Sequence, residues 1–168
     1  MFAGPMRSLL RDVKGSALVE GALLIPVLFV LMYGVYDFSW FFYQQQLVST
    51  GVRDAARFLA RSPAFCDAAS PDRVTQEDGA KNLAVAGAIG GGPARVPGWT
   101  ANMIAVTCTS VANPIGADGL KMYRGGPFIN IVTVSTRFAE SSLGFFGLLR
   151  LSVPVISMSH SQRVIGPG

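Results

Sequence analysis

The stretch GSALVEGALLIPVLFVLMYG, residues Gly15 to Gly34, decides the architecture of this 168-residue chain. From Ala17 to Tyr36 it runs 20 residues with a single charge, Glu20. A helix of that length covers about 30 Å, the thickness of a bilayer's hydrocarbon core. A buried core helix of a soluble protein is usually shorter and more polar, so the stretch reads as a transmembrane segment. Its one carboxylate, with no basic residue beside it inside the run, needs its own explanation.

The flanks orient the segment. Arg7, Arg11 and Lys14 precede it against a single acid, Asp12, whereas Asp37 follows and no further charge occurs until Arg53. Basic residues stay on the cytoplasmic side, so the expected topology is N-terminus inside and the bulk of the chain outside. Two cysteines, Cys66 and Cys108, fall on that outer side. A pair in an oxidising compartment favours a disulfide, with two unpaired core thiols as the alternative. Their spacing fits no metal site, and the chain has one histidine, so neither a metal nor a cofactor is expected. The net charge of +4 is shared between the first fifteen residues and the remainder, which holds 11 basic and 9 acidic groups. With no basic cluster interleaved with aromatics, nucleic acid is not an expected partner.

The apolar pattern outlasts the membrane. Phe41, Val48, Val52, Ala55 and Leu59 recur at steps that share one helical face, with Gln44, Gln45, Gln46, Arg53, Asp54, Arg57 and Arg61 around it. One helix is therefore expected from about Gly15 to Arg61, its first half in the membrane and its second amphipathic. Pro26 removes a donor to the carbonyl of Ala22, a break that membrane helices tolerate, and Gly34 and Gly51 are further weak points. Ser62 to Pro71 reads as a loop. A short helix is expected from Thr75, as cap, to Ala88, ended by Gly90, Gly91, Gly92 and Pro93. This glycine run lacks the Lys-Ser/Thr ending of a phosphate-binding loop.

The last third is strand-like: 102–111, then Phe128 to Phe138 with the clearest alternation, then 151–164 with Pro154 confining it to an edge or a bulge. The expected fold is α+β, a long transmembrane and amphipathic helix packed on a small antiparallel-sheet head. Leu143, Phe145, Phe146, Leu148 and Leu149 make an apolar connection before the last strand. A loop tucked into the core is the favoured reading, a membrane or partner contact the functional one.

Glu20 costs about 2–3 kcal/mol near a membrane centre, less toward the interface. It could snorkel to the cytoplasmic headgroups, yet an intramembrane acid is by default a functional residue with a partner to be named. Lys14 points to the cytoplasm. A cut after Gly15 would give Ser16 a new α-amino group and make Glu20 the fifth residue. In a staggered stack of helices, one chain's carboxylate could then pair with the next chain's N-terminus, a pair that rewards one stagger and penalises others.

These residues carry a resemblance. A basic leader ending in Gly15, with Glu20 at the fifth position of an apolar helix, resembles the processing site of type IV pilins and pseudopilins. Gly15, Val19, Glu20, Ala22, Pro26, Gly34, Asp37 and Phe38 stand where TadE-like minor pilins of tight-adherence (Tad/Flp) systems carry their motif. The helix end Arg53-Asp54-Ala55-Ala56-Arg57-Phe58 is similar to the family's arginine-rich end, and the VTVSTRF strand fits more loosely. Gly21 departs from the family's aromatic and Ala56 from its common glycine. The resemblance implies a pilin-like chain: a leader over 1–15, a transmembrane helix over 16–37, its periplasmic continuation over 38–61 and a head over 62–168. It implies cleavage by a membrane-embedded prepilin peptidase, with Gly15, Ser16 and Glu20 as processing residues and Glu20 with Pro26 in subunit assembly. It further implies residence in the bacterial inner membrane until extraction into, or onto, a pilus built with other subunits of the system.

Two other readings stay open at this stage. An unprocessed single-pass protein with a periplasmic scaffold or binding head explains the topology but leaves Glu20 an accident. A secretory signal peptide lacks its small-x-small cleavage site. An anchored enzyme needs an oriented base, and the one histidine, His160, lies between Ser159 and Ser161 in an expected strand. No catalytic residue and no small-molecule substrate are expected, and the head's acids read as solvated surface. Arg53, Arg57 and Arg61 read as a solvated face suited to the helix C-terminal dipole, in preference to an acidic-partner contact.

Overall fold

The computed structural model describes residues 13–139, 144–148, 150 and 152–165. The chain divides into two compact units, Met1–Trp40 and Phe41–Gly168. Helix α1, Val13–Ala60, runs through both. In the first unit the apolar stretch of the helix is bare: its apolar window has a mean hydropathy of 2.2 and none of it is buried. The helix is thus long and apolar enough to cross a membrane. It continues through Pro26 without a break.

In the second unit the stripe read from the sequence turns inward. Val48, Val52, Ala55 and Leu59 are fully buried, and Phe41 packs at the margin of the same core. At its end the helix tightens, with Arg61 N–H bonding Phe58 O and Ser62 N–H bonding Leu59 O, while Ile165 N–H takes the carbonyl of Ala60 at 2.8 Å. These bonds occupy carbonyls that a helix end leaves free. Pro63 then opens a 3-10 turn, Pro63–Cys66.

Helix α2, Arg73–Ala86, starts two residues before the expected cap. The turns at Ser70 N to Asp67 O and Arg73 N to Ser70 O already wind the chain, and Asp72 has helical dihedrals, so Thr75 lies inside the first turn. The helix also ends earlier than expected, at Gly87, whose φ of 79° and N–H to Leu83 O at 2.9 Å form a left-handed C-cap. The later glycines only continue the turn.

Three strands form an antiparallel meander in the order β1-β2-β3: β1 Ile104–Ala112, β2 Phe128–Ala139 and β3 Val155–Arg163. Register pairs Cys108 with Val132, and Val134 with both Val106 and His160. β1 begins later than expected because Ala101–Met103 is a 3-10 turn, and β3 begins just after Pro154 on the sheet edge. Val132, Val134, Phe138 and Ile156 turn into the core shared with α1, α2, Phe65, Val96 and Trp99. Trp99 Nε1–H donates to Thr136 Oγ1 at 3.0 Å, which donates to Met103 O at 2.9 Å, so a polar chain inside the core is closed.

Residues Gly144–Leu148 form a short helix, α3, where a loop was expected. Phe146 is half-buried there. Leu143 and Leu149 lie outside the described residues, as does the leader up to residue 12.

Gly51 is a point of contact, not only a weak point of α1. A Cβ there would collide with the backbone carbonyl of Ala84 in α2 and lie 2.9 Å from Trp99 Cη2. Alanine gains about 1 kcal/mol in helix propensity, but backbone cannot yield as a side-chain tip can, and overpacking costs about 1–3 kcal/mol. Gly51→Ala should therefore lower stability by up to about 2 kcal/mol in thermal melts of the detergent-solubilised chain. Gly90→Ala, where no atom lies within 4 Å of the new Cβ, should stay within about 0.5 kcal/mol. Equal melting of the two variants would refute the close approach of α1 and α2.

Candidate functional site

The first unit contributes one site, the N-terminal portion of α1. Gly15 and Ser16 lie in the first turn of the helix, and Glu20 follows on an exposed surface. Its carboxylate makes no hydrogen bond or ion pair among the described residues. Leu18, Val19, Leu23 and Leu24 around it are all exposed by more than half. Gly21, the departure from the family pattern, leaves open space beside the acid: nothing lies within 4 Å of a Cβ built there. Pro26 stands six residues on, so at 100° per residue it occupies a different face from Glu20. Ile25, Leu28, Phe29 and Met32 form an apolar groove alongside it. This arrangement presents a carboxylate, without a partner among the described residues, on an exposed and otherwise apolar stretch of helix.

At the end of the apolar run, Asp37 is 7% exposed. In the sequence it is the charge that follows the apolar run; the fold buries it. Gln44 in the second unit is 1% exposed, seven residues on and so on a similar face. Both side chains are engaged. Two polar residues at a helical repeat were a visible signal, but a polar residue after a membrane run is ordinarily solvated, which hid it.

The second unit joins Cys66 of the 3-10 turn to Cys108 of β1 in a disulfide, with Cα atoms 5.6 Å apart. Sequence reasoning missed an ion pair in the head: Arg95 donates through both Nη1 and Nη2 to Asp54 Oδ2 at 3.3 and 3.2 Å. The pair ties α1 to the segment after α2, and the guanidinium lies against Gly87, leaving no room for a Cβ. A separation of 41 residues leaves no local signature of it. Glu77, read as a solvated acid, pairs with Lys81 one turn on at 2.7 Å.

The three arginines of α1 part company. Arg53 turns back to Ser49, donating from Nε to the carbonyl and from Nη2 to the hydroxyl. Arg57 and Arg61 are exposed and line a surface groove with Asp54, Phe58, Ser62 and Leu83. His160 is half-buried in β3 opposite Val134. Among the described residues no three of His, Cys, Asp and Glu gather where a metal ion could be held.

A helix able to cross a membrane, continued into an α+β head with a three-stranded sheet, defines a class of membrane-anchorable chains. Within that class, the sequence model of the TadE-like protein family matches residues 15–57, so α1 carries a TadE-like segment from its first turn almost to its end. The resemblance read from Gly15, Glu20, Pro26 and Asp37 holds over that segment. No curated protein and no solved structure matches the chain.

Proposed function

We propose that this chain is a minor pilin or pseudopilin of a tight-adherence (Tad/Flp) pilus, structural in role, whose assembly serves adhesion and biofilm formation. The observation that carries the reading is Glu20: an exposed acid without a hydrogen-bond or ion-pair partner among the described residues, inside a segment that matches the TadE-like family. The proposed topology places the N-terminus in the cytoplasm and the head in the periplasm, in keeping with Arg7, Arg11 and Lys14 before the apolar run. The Cys66–Cys108 bridge supports an oxidising compartment for the head.

In the proposed processing step a prepilin peptidase hydrolyses the Gly15–Ser16 bond. That bond lies in the first turn of α1. Glycine in a helix weakens it by about 0.5–1 kcal/mol relative to alanine. The turn can therefore open to a peptidase at small cost. Cleavage frees the Ser16 α-amino group, which supplies a cation for Glu20 on a neighbouring subunit. The partners of this reading are the bilayer, the peptidase and other pilin or pseudopilin subunits.

The test is the intact mass and N-terminal residue of the protein taken from its native membranes. A mature chain starting at Ser16 is the expected result. A chain retaining its leader, in cells whose prepilin peptidase is active, would favour the unprocessed anchored scaffold.

A further inference from the structure

The loop between β1 and β2, residues 113–127, is largely exposed yet held by a set of its own hydrogen bonds. Asn113 is buried and acts as its staple, donating from Nδ2 to Tyr123 O at 2.7 Å and Gly126 O at 3.2 Å and accepting from Tyr123 N–H on Oδ1. Its own N–H bonds Pro127 O, and Met122 N–H bonds Pro114 O, both at 2.8 Å. Within that frame Gly116 N–H reaches Leu120 O, closing a small hairpin that pairs Ile115 with Lys121. Arg163 of β3 stacks on the Tyr123 ring, 4.8 Å from its centroid.

This frame holds apolar side chains out in water. Ile115 is 69% exposed, Leu120 67% and Met122 63%. Fixed apolar groups of this kind mark contact surfaces, because a preformed loop forfeits little ordering entropy on binding. Lys121 and Arg124 beside them are exposed and form no hydrogen bond or ion pair among the described residues. The loop's one acid, Asp118, accepts the Leu120 N–H on Oδ1. The surface is thus apolar with a basic margin.

Its shape argues against lipid. The hairpin apex is Ala117-Asp118-Gly119, so a loop entering a bilayer would lead with a carboxylate while its apolar residues lie on the flank. A flank suits a protein surface of opposite charge, and the chain carries one. At the start of α2, Val74 is 68% exposed, and Asp78 is exposed one turn along the same face, with Asp72 exposed just before the helix. Neither aspartate forms a side-chain hydrogen bond or ion pair among the described residues.

We propose that the flank of this loop docks on the acidic, Val74-bearing start of α2 in a second copy of the chain. In the proposed two-fold pair each copy offers its loop and receives the other's, so the contact is made twice. The inference rests on these two surfaces and is independent of the pilin reading. The test is the mass of the purified full chain in non-ionic detergent, by light scattering with the detergent contribution subtracted, across protein and salt concentration. A dimer that weakens with added salt is expected. Lys121→Glu should weaken it on the order of tenfold or more, Leu120→Ser should weaken it similarly, and Asp78→Lys added to Lys121→Glu should restore it. All three positions are exposed, so folding is not at issue. A monomer at all concentrations, or a dimer indifferent to Lys121→Glu and Leu120→Ser, overturns the proposal.

Discussion

Loss of the Cys66–Cys108 bridge is expected to lower the stability of the head by about 3 kcal/mol. The two cysteines are 42 residues apart in sequence, and closing a loop of that length removes chain entropy from the unfolded state worth about 4 kcal/mol at 25 °C, of which measured bridges usually deliver about 2–4. The bond also joins the 3-10 turn after α1 to the edge strand β1. Cys66 and Cys108 pack at the margin of the core, so serine in their place adds the cost of placing hydroxyls beside apolar neighbours.

Against a typical domain stability of about 5–15 kcal/mol, that loss is a large fraction. The Cys66→Ser/Cys108→Ser variant should therefore melt roughly 10 °C below the parent protein. Near-ultraviolet circular dichroism is a suitable probe, because Trp99 is buried against Phe138, with ring centroids 6.1 Å apart. Mass analysis after alkylation of the unreduced, denatured chain should find both sulfurs protected. Ready alkylation of both cysteines in the native protein, or unchanged melting in the double variant, would remove the bridge from the account of stability.

What could be read from the sequence was what repeats locally. The stripe through Val48, Val52, Ala55 and Leu59 follows the helical period, and all four are fully buried. In β2, alternation separates Val132, Val134 and Phe138 from the residues of the outer face. Two cysteines allowed one pairing. What could not be read depends on contact across the fold. Gly51 looks like a flaw in a helix until Ala84 and Trp99 are seen against it. Asp54 looks like a solvated acid until Arg95, 41 residues away, closes on it. Asp37 and Gln44 look like the wet end of a membrane helix, and both are buried. The α2 boundaries moved because turn hydrogen bonds before Thr75 and a left-handed Gly87 outweighed the expected cap and the later glycine run.

On the proposed reading, Glu20→Ala should leave membrane insertion intact while reducing pilus assembly to near the level of a deletion strain. The two halves of that prediction have opposite physical signs. A carboxylate inside the hydrocarbon is unfavourable by up to about 3 kcal/mol on insertion scales, so its removal makes the segment easier to insert. In an assembled stack the acid would face the Ser16 α-amino group of a neighbour at low dielectric, where removing one member leaves the remaining charge uncompensated, a loss of about 3–5 kcal/mol for a buried pair. One such loss at each subunit contact shifts the association constant by roughly two to three and a half powers of ten. Glu20→Gln separates charge from shape: it keeps the side chain's length and hydrogen-bonding capacity and should still fail, because an amide cannot neutralise the amine. Membrane levels by immunoblot, the N-terminal residue by mass spectrometry and pili by electron microscopy read the steps apart. A processed, well-inserted Glu20→Ala protein that supports normal pili would remove the pairing role and leave the acid as a feature of processing or of the membrane interface.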